Sequence, residues 1–351
     1  MNYLREVWYA AGWSDELGAG SIIDRTLLGE SIALFRDASG EIHALRNRCP
    51  HRFAPLSGGK VIGDTVQCPY HGLRFDGAGQ CRLNPHGDGA VPRAATVKSY
   101  PVIDRYGAIW IWMGDQGAAD PNKIPDFNVI DAEHNYVGKD YLAVAANYQL
   151  ETDNIMDLSH IAFVHPDSLG ADVVREAKTE VTQTGNTIWS KRQTYREELP
   201  AALELHYGAP PGKLWDRWLD VRWDPPASML LWVGILPTGT PRTPDSKQIP
   251  FVHLFTPETQ HTTHYWFATG YPRSFGPQYE ERAQRDIKFL RTPFEAEDLP
   301  MLQAQQAAMG SEEFWDLKPV LLPSDAAAVR ARRVLDKLLK DELAAAQVAN
   351  R

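Results

Sequence analysis

Cysteine is scarce in this chain, with three among 351 residues. That is too few to staple a domain with disulfides, so the sulfur serves another end. Long hydrophobic runs are missing too: apolar stretches such as residues 230–236 fall far short of the roughly 18 residues of a membrane-spanning helix. Basic residues are outnumbered. The formal charge of −9 gives no reason to expect nucleic acid or an anionic membrane as partner. Where an export signal would carry an apolar core, residues 1–10 carry Arg5, Glu6, Trp8 and Tyr9, so a cytoplasmic location is expected. No repeat or low-complexity tract is visible, which excludes solenoids and fibrous arrays.

Two of the three cysteines stand in matched phrases, Cys49-Pro50-His51-Arg52 and Cys68-Pro69-Tyr70-His71-Gly72. Each phrase pairs one thiol with one imidazole. A structural zinc site could use two cysteines and two histidines, but such sites usually place cysteine with cysteine on one loop and histidine with histidine on a helix. A [2Fe-2S] centre of Rieske type needs two cysteines on one iron and two histidines on the other, which suits one of each per loop. Pro50 and Pro69 stiffen the loops, and Gly72 permits a close backbone approach. Cys81, the remaining cysteine, reads as an ordinary thiol.

The length favours two domains. Alternating apolar residues at 22–28, 31–36 and 41–46, then 65–67, 72–75, 97–104 and 108–112, predict a small antiparallel β domain with the ligand loops at one tip. Between His43 and Arg82 six basic residues face two acidic ones, a surface that could dock an acidic electron donor or simply be solvated. The small, polar stretch from Gly114 to Pro121 reads as the linker, which sets domains at 1–118 and 119–351. Beyond it the pattern predicts a strand at 137–147, a helix at 148–162 and a hairpin at 180–195. Strands follow at 217–223, 228–236, 251–256 and 261–269, then helices at 279–290, 294–309 and 324–346. The fold class is therefore α+β: an all-β first domain, then an antiparallel sheet with helices.

A second set of chemistry-bearing residues lies in the predicted helix: Asn154, Asp157, His160 and His165. Histidines five apart stand about 140° apart on a regular helix, so meeting at one metal requires the helix to end or bulge between them. Pro166 favours an ending. Asp157, one turn before His160, can place its carboxylate beside that ring. Two neutral imidazoles and one carboxylate form the facial triad of non-haem Fe(II) oxygenases.

With the cysteine-histidine boxes, the phrases Trp8-Tyr9-Ala10-Ala11, Cys49 to Leu56, Asp153 to His160 and Phe255-Thr256-Pro257-Glu258 resemble the oxygenase components of Rieske non-haem iron oxygenases, in the branch of the aromatic O-demethylases of vanillate and dicamba type. The resemblance covers nearly the whole chain. It implies a Rieske domain with ligands Cys49, His51, Cys68 and His71, and a helix-grip catalytic domain whose iron is held by His160, His165 and Asp298. Glu295 and Glu297 are the alternatives to Asp298 if the register slips. It further implies a head-to-tail homotrimer, in which electrons pass from His71 of one subunit through Asp157 to His160 of the next.

Gly58-Gly59 and Gly77-Ala78-Gly79 lack a following phosphate-binding helix, so NADH must act through a separate ferredoxin or flavin/iron-sulfur reductase. The activity implied is O2-dependent hydroxylation of a methyl or alkyl group on an aromatic ether or acid, giving demethylation. Ring dihydroxylation is the competing outcome; an electron carrier and a helix-grip binding protein are further alternatives. Substrate-pocket candidates are Leu158, Ile161, Leu231, His253 and Phe289, with His253 placed to hold a carboxylate or sulfonate. Leu231 and Phe289 stand where dicamba-type relatives offer an amide and an indole, so a different substrate is expected. Trp215, Trp218, Trp223 and Trp232 suit either a ring-bearing ligand or the core.

Overall fold

The computed structural model describes residues 3–170, 172–175, 177, 179–243 and 246–349. The chain divides into two compact units, residues 5–124 with 256–259, and residues 1–4 with 125–255 and 260–351. At the expected linker stand two short 3-10 turns, Gln116–Ala118 and Pro121–Lys123, each opened by an aspartate whose side chain accepts from a backbone N–H two residues on.

The first unit is all β. Its strands are β1 (Trp8–Trp13), β2 (Ile22–Leu27), β3 (Glu30–Arg36), β4 (Ile42–Arg46), β5 (Lys60–Ile62), β6 (Thr65–Gln67), β7 (Arg74–Asp76), β8 (Cys81–Leu83), β9 (Ser99–Tyr100), β10 (Val102–Arg105) and β11 (Ala108–Trp112). They form three antiparallel sheets, ordered β1-β11-β10, β2-β3-β4-β9 and β5-β6-β7-β8. The strand expected over 97–104 is two strands, because Pro101 has no N–H to give to a ladder. Strands β1 and β11 are buried on both faces. Phe35, Leu45, Val66 and Phe75 meet in a core that also takes in Cys49, Leu56 and Cys68. The loops bearing the cysteine-histidine boxes leave β4 and β6, so their cysteines point into this core.

The second unit is built on β12 (Asn135–Val144), β13 (Thr179–Thr184), β14 (Thr187–Glu198), β15 (Leu214–Asp224), β16 (Ser228–Pro237), β17 (Ile249–Pro257) and β18 (Thr263–Pro272). They make one seven-stranded antiparallel sheet in the order β12-β18-β17-β16-β15-β14-β13. Its helices are α1 (Tyr148–Met156), α2 (Ile161–Val164), α3 (Ala201–Tyr207), α4 (Gln278–Pro293), α5 (Leu299–Met309) and α6 (Ala326–Ala349). Helix α4 lies against β12 and β18, and Gly138 lets it approach: a Cβ there would meet the Ala283 carbonyl at 2.1 Å.

Two sequence expectations need correcting. The helix expected over 148–162 stops at Met156, because Asp157 leaves helical geometry (φ −118°, ψ 88°) and caps a new 3-10 turn, Leu158–His160, with its own side chain. This break precedes His160, and the expected ending between the histidines is present as well, since α2 stops at Val164 and His165 leaves helical geometry (φ −120°, ψ 42°). The helices expected at 279–290 and 294–309 are one run, joined by a π turn over Phe294–Asp298. Among the described residues no helix is long and apolar enough to cross a membrane.

Candidate functional site

The loops after β4 and β6 share one backbone pattern. Cys49 N–H donates to Ala54 O and Phe53 N–H to Cys49 O; in the second loop Cys68 N–H donates to Leu73 O and Gly72 N–H to Cys68 O. Phe53 and Gly72 thus hold the same place, and both have positive φ, +63° and +73°. Gly59 brings the loops together, since a Cβ there would sit 1.9 Å from the Gln67 carbonyl next to Cys68. The outcome is a pair of buried thiols beneath a pair of imidazoles, the His51 and His71 rings lying 4.5 Å apart at the surface. Burial pushes the Cys49 thiol up to about 11, and Cys68 beside it adds to the shift. Such thiols become thiolates on binding a metal, and the soft pair below with the borderline pair above fits a Rieske cluster. His86, which sequence reasoning missed, sets a ring nitrogen 2.8 Å from the His71 carbonyl.

The second unit brings His160, His165 and Asp298 together, with one ligand atom from each inside 4.8 Å of the others. Asp298 Oδ1 lies 3.1 Å from His165 Nε2 and 3.5 Å from His160 Nε2. The other ring edges are held. His160 Nδ1 is 2.8 Å from the Asp157 carbonyl, and His165 Nδ1 is 2.5 Å from Glu297 Oε2, which also accepts from the Ser168 hydroxyl. Asn154 donates to Asp298 Oδ1 at 2.9 Å. One feature differs from expectation. It is the backbone of Asp157, not its carboxylate, that stands against His160; that carboxylate accepts from Ser159 N–H and from buried Arg192 at 3.3 Å. Glu297 stands behind His165, and Glu295 pairs with Arg291 on the surface at 2.9 Å.

The electrostatics suit a cation. Burial lowers the pKa of His160, against the pull of Asp298. For His165 burial works the same way, but the contacts with Asp298 and Glu297 outweigh it and raise the pKa. Two nitrogens and one carboxylate on one side, with the far edges already hydrogen-bonded, fit an Fe(II) facial triad.

The triad opens on a cavity of about 70 Å³. All five pocket candidates, Leu158, Ile161, Leu231, His253 and Phe289, line it, as do His206 and Arg217, which sequence reasoning missed. Helix α3 carries His206 and was not foreseen. Arg217 had a visible signal, a charge within the apolar alternation of β15. None of Trp215, Trp218, Trp223 and Trp232 lines the cavity; Trp218 and Trp223 are fully buried in the core. His253 has one ring nitrogen 2.7 Å from Tyr265 Oη and the other, buried, without a hydrogen-bond partner. Burial pushes its pKa down to about 3, so the ring is neutral and offers a ligand a hydrogen bond without a charge.

Comparison with known proteins bears on both sites. Residues 7–101 match the Rieske [2Fe-2S] domain, and residues 144–341 match the vanillate O-demethylase oxygenase C-terminal domain. The chain belongs to the Rieske non-haem iron oxygenases of the vanillate O-demethylase type. It is 37% identical over 345 residues to the dicamba O-demethylase oxygenase component of Stenotrophomonas maltophilia, covering 98% of this chain and 100% of that one. Identity is also 37% to the chloroacetanilide N-alkylformylase oxygenase component of Rhizorhabdus wittichii, with 97% of each chain covered. A crystal structure of dicamba monooxygenase bound to 3,6-dichlorosalicylic acid superposes with a TM-score of 0.90 at 34% identity, covering 98% of this chain and 100% of that one.

This Rieske oxygenase is thus an O2-using monooxygenase with a [2Fe-2S] cluster and one mononuclear iron. Its fold class is the one the sequence implied, an N-terminal all-β Rieske domain and a C-terminal antiparallel sheet with helices.

Proposed function

We propose that this oxygenase hydroxylates a methyl or alkyl group attached through oxygen to an aromatic ring, so that the product collapses to a phenol and an aldehyde. The observation that carries this reading is the convergence of His160, His165 and Asp298 on an apolar cavity, in a chain two of whose relatives are named O-demethylases, of dicamba and of vanillate. When bound, the two metal centres supply one-electron storage and O2 activation. The chain's own residues do the rest. Cys49, His51, Cys68 and His71 hold the cluster, and His160, His165 and Asp298 hold the iron. Asn154 keeps Asp298 oriented. Leu158, Ile161, Leu231 and Phe289 exclude water and receive the ring, and the unpaired nitrogen of His253 meets an oxygen of the substrate's acid group.

Electrons originate in NADH and arrive from a separate ferredoxin or reductase. The path assigned is His71, Asp157 and His160, between neighbours of a cytoplasmic homotrimer. The domains are taken as 1–118 and 119–351, the first for the cluster and the second for the iron.

The test is oxygen uptake and formaldehyde release from a panel of methoxybenzoates, with NADH and a reductase. Formaldehyde in step with oxygen is the expected result. Oxygen consumption with an aromatic that yields a cis-diol, and no formaldehyde from any methoxyarene, would replace this reading with ring dihydroxylation.

A further inference from the structure

An apolar cavity accepts a ring without deciding how it is turned; polar groups in the wall do that. Besides the triad and Asn154, the wall carries Tyr207, His206, Arg217 and His253. Arg217 is already committed. Its guanidinium meets the buried Glu197 carboxylate at 2.6 Å and donates to the Leu169 carbonyl at 2.9 Å, so it has no unbalanced charge to offer.

His206 is arranged differently. Its ring stacks on Phe289, with centroids 4.7 Å apart and planes 20° apart, which fixes the ring plane. Its Nδ1 faces Asp286 Oδ1 at 3.5 Å. Asp286 is itself buried and accepts from Arg282 Nε at 2.8 Å and from the Tyr271 hydroxyl. Arg282 also donates to the His206 carbonyl at 2.6 Å, so one guanidinium positions both partners. A neutral imidazole carries one proton, and a carboxylate facing one nitrogen draws the proton there. Burial keeps this ring neutral, pushing its pKa down to about 4. The other nitrogen, Nε2, is then a lone-pair acceptor.

We propose that His206 is a specificity-determining residue, whose Nε2 accepts a hydrogen bond from an O–H or N–H donor on the aromatic substrate. The inference rests on the reading of this cavity as the substrate site. It deepens that reading: a substrate with an acid group for His253 and a phenolic hydroxyl or amide for His206 is fixed at both ends, and its orientation selects which substituent lies at the triad.

Binding of vanillate and of veratrate, its O-methyl ether, to the iron-loaded full-length protein tests this by equilibrium dialysis without oxygen. The two probes differ in one donor hydrogen and one methyl group. The wild type is expected to hold vanillate about tenfold more tightly, the loss expected when a site built for a hydrogen bond goes unpaired. His206→Phe keeps the stack and the volume but removes the acceptor, and is expected to bind both probes alike. His206→Gln restores an acceptor and part of the preference. Equal binding by the wild type, including none of either probe, overturns the proposal, as does a preference that survives in His206→Phe. Because no oxygen is present, a protein that shows the preference yet releases no formaldehyde would keep this inference and lose the demethylase assignment.

Discussion

Glu297 Oε2 lies 2.5 Å from His165 Nδ1, while its neighbour Asp298 reaches the opposite nitrogen of the same ring at 3.1 Å. Adjacent residues can grip both edges of one imidazole because they sit in a π turn, which rotates the chain less per residue than an α-helix. The carboxylate behind a metal-binding histidine fixes its tautomer and strengthens it as a ligand, and its loss typically costs 10–100-fold in metal affinity. Glu297→Ala is therefore expected to weaken iron retention by about that factor, and Glu297→Gln by less, since the amide oxygen still accepts from Nδ1–H. Competition with an iron chelator reads this directly. Retention equal to the wild type in Glu297→Ala would show that Asp298 alone positions His165.

Asp157 has two separable parts. Its carbonyl holds His160 Nδ1, and its carboxylate faces Ser159 N–H and Arg192. Asp157→Asn changes the second and leaves the first. The variant is expected to keep its iron and its cluster, read by electron paramagnetic resonance of the nitric-oxide complex of the iron and of the reduced cluster, while turnover falls by about 100-fold, as the proposed path through the carboxylate requires. Full turnover in this variant removes Asp157 from the path.

What could be read in advance follows the range of the interactions. The cluster boxes are contiguous, and loop chemistry of that kind survives without knowledge of the fold. The large sheet was visible in its alternation, strand by strand. The break at Asp157 was not: apolar residues recur at helical spacing from Tyr148 to Ala162, and an aspartate can be a helix interior residue or a cap. Whether Glu297 or Asp298 reaches the histidines turns on one extra residue in a π turn, which no periodicity over five residues reveals. Helix α3, seven residues after Pro200, is too short to announce itself. His206 lines the cavity through tertiary contacts alone, whereas Arg217 was legible as a charge within the apolar alternation of β15.

Arg217 and Glu197 make a buried ion pair, with side chains 2% and 0% exposed. Removing one partner strands a charge in the interior, whereas replacing both by apolar residues of similar volume is often close to neutral. Glu197→Gln should lower unfolding stability by about 3–5 kcal/mol, read from urea midpoints. The double variant Arg217→Met/Glu197→Leu should recover most of it. If the single change costs nothing, Arg217 is reaching a second counter-charge or water.

The last expectation concerns acid stability. The folded-state pKa of His206 is pushed down to about 4 by burial, below the ordinary value near 6.5. The unfolded ring therefore takes up its proton first. Stability from this residue is complete above pH 6.5 and is lost as the pH falls toward 4, at roughly 1.4 kcal/mol per pH unit. His206→Phe lacks a titrating ring. Other groups contribute to both proteins and cancel, so the stability difference between wild type and variant should shift in favour of the variant by roughly 2 kcal/mol between pH 7 and pH 5. Urea unfolding at the two pH values measures it. A difference that stays constant would mean that the folded ring is protonated as readily as the unfolded one, and that Asp286 offsets the burial in full.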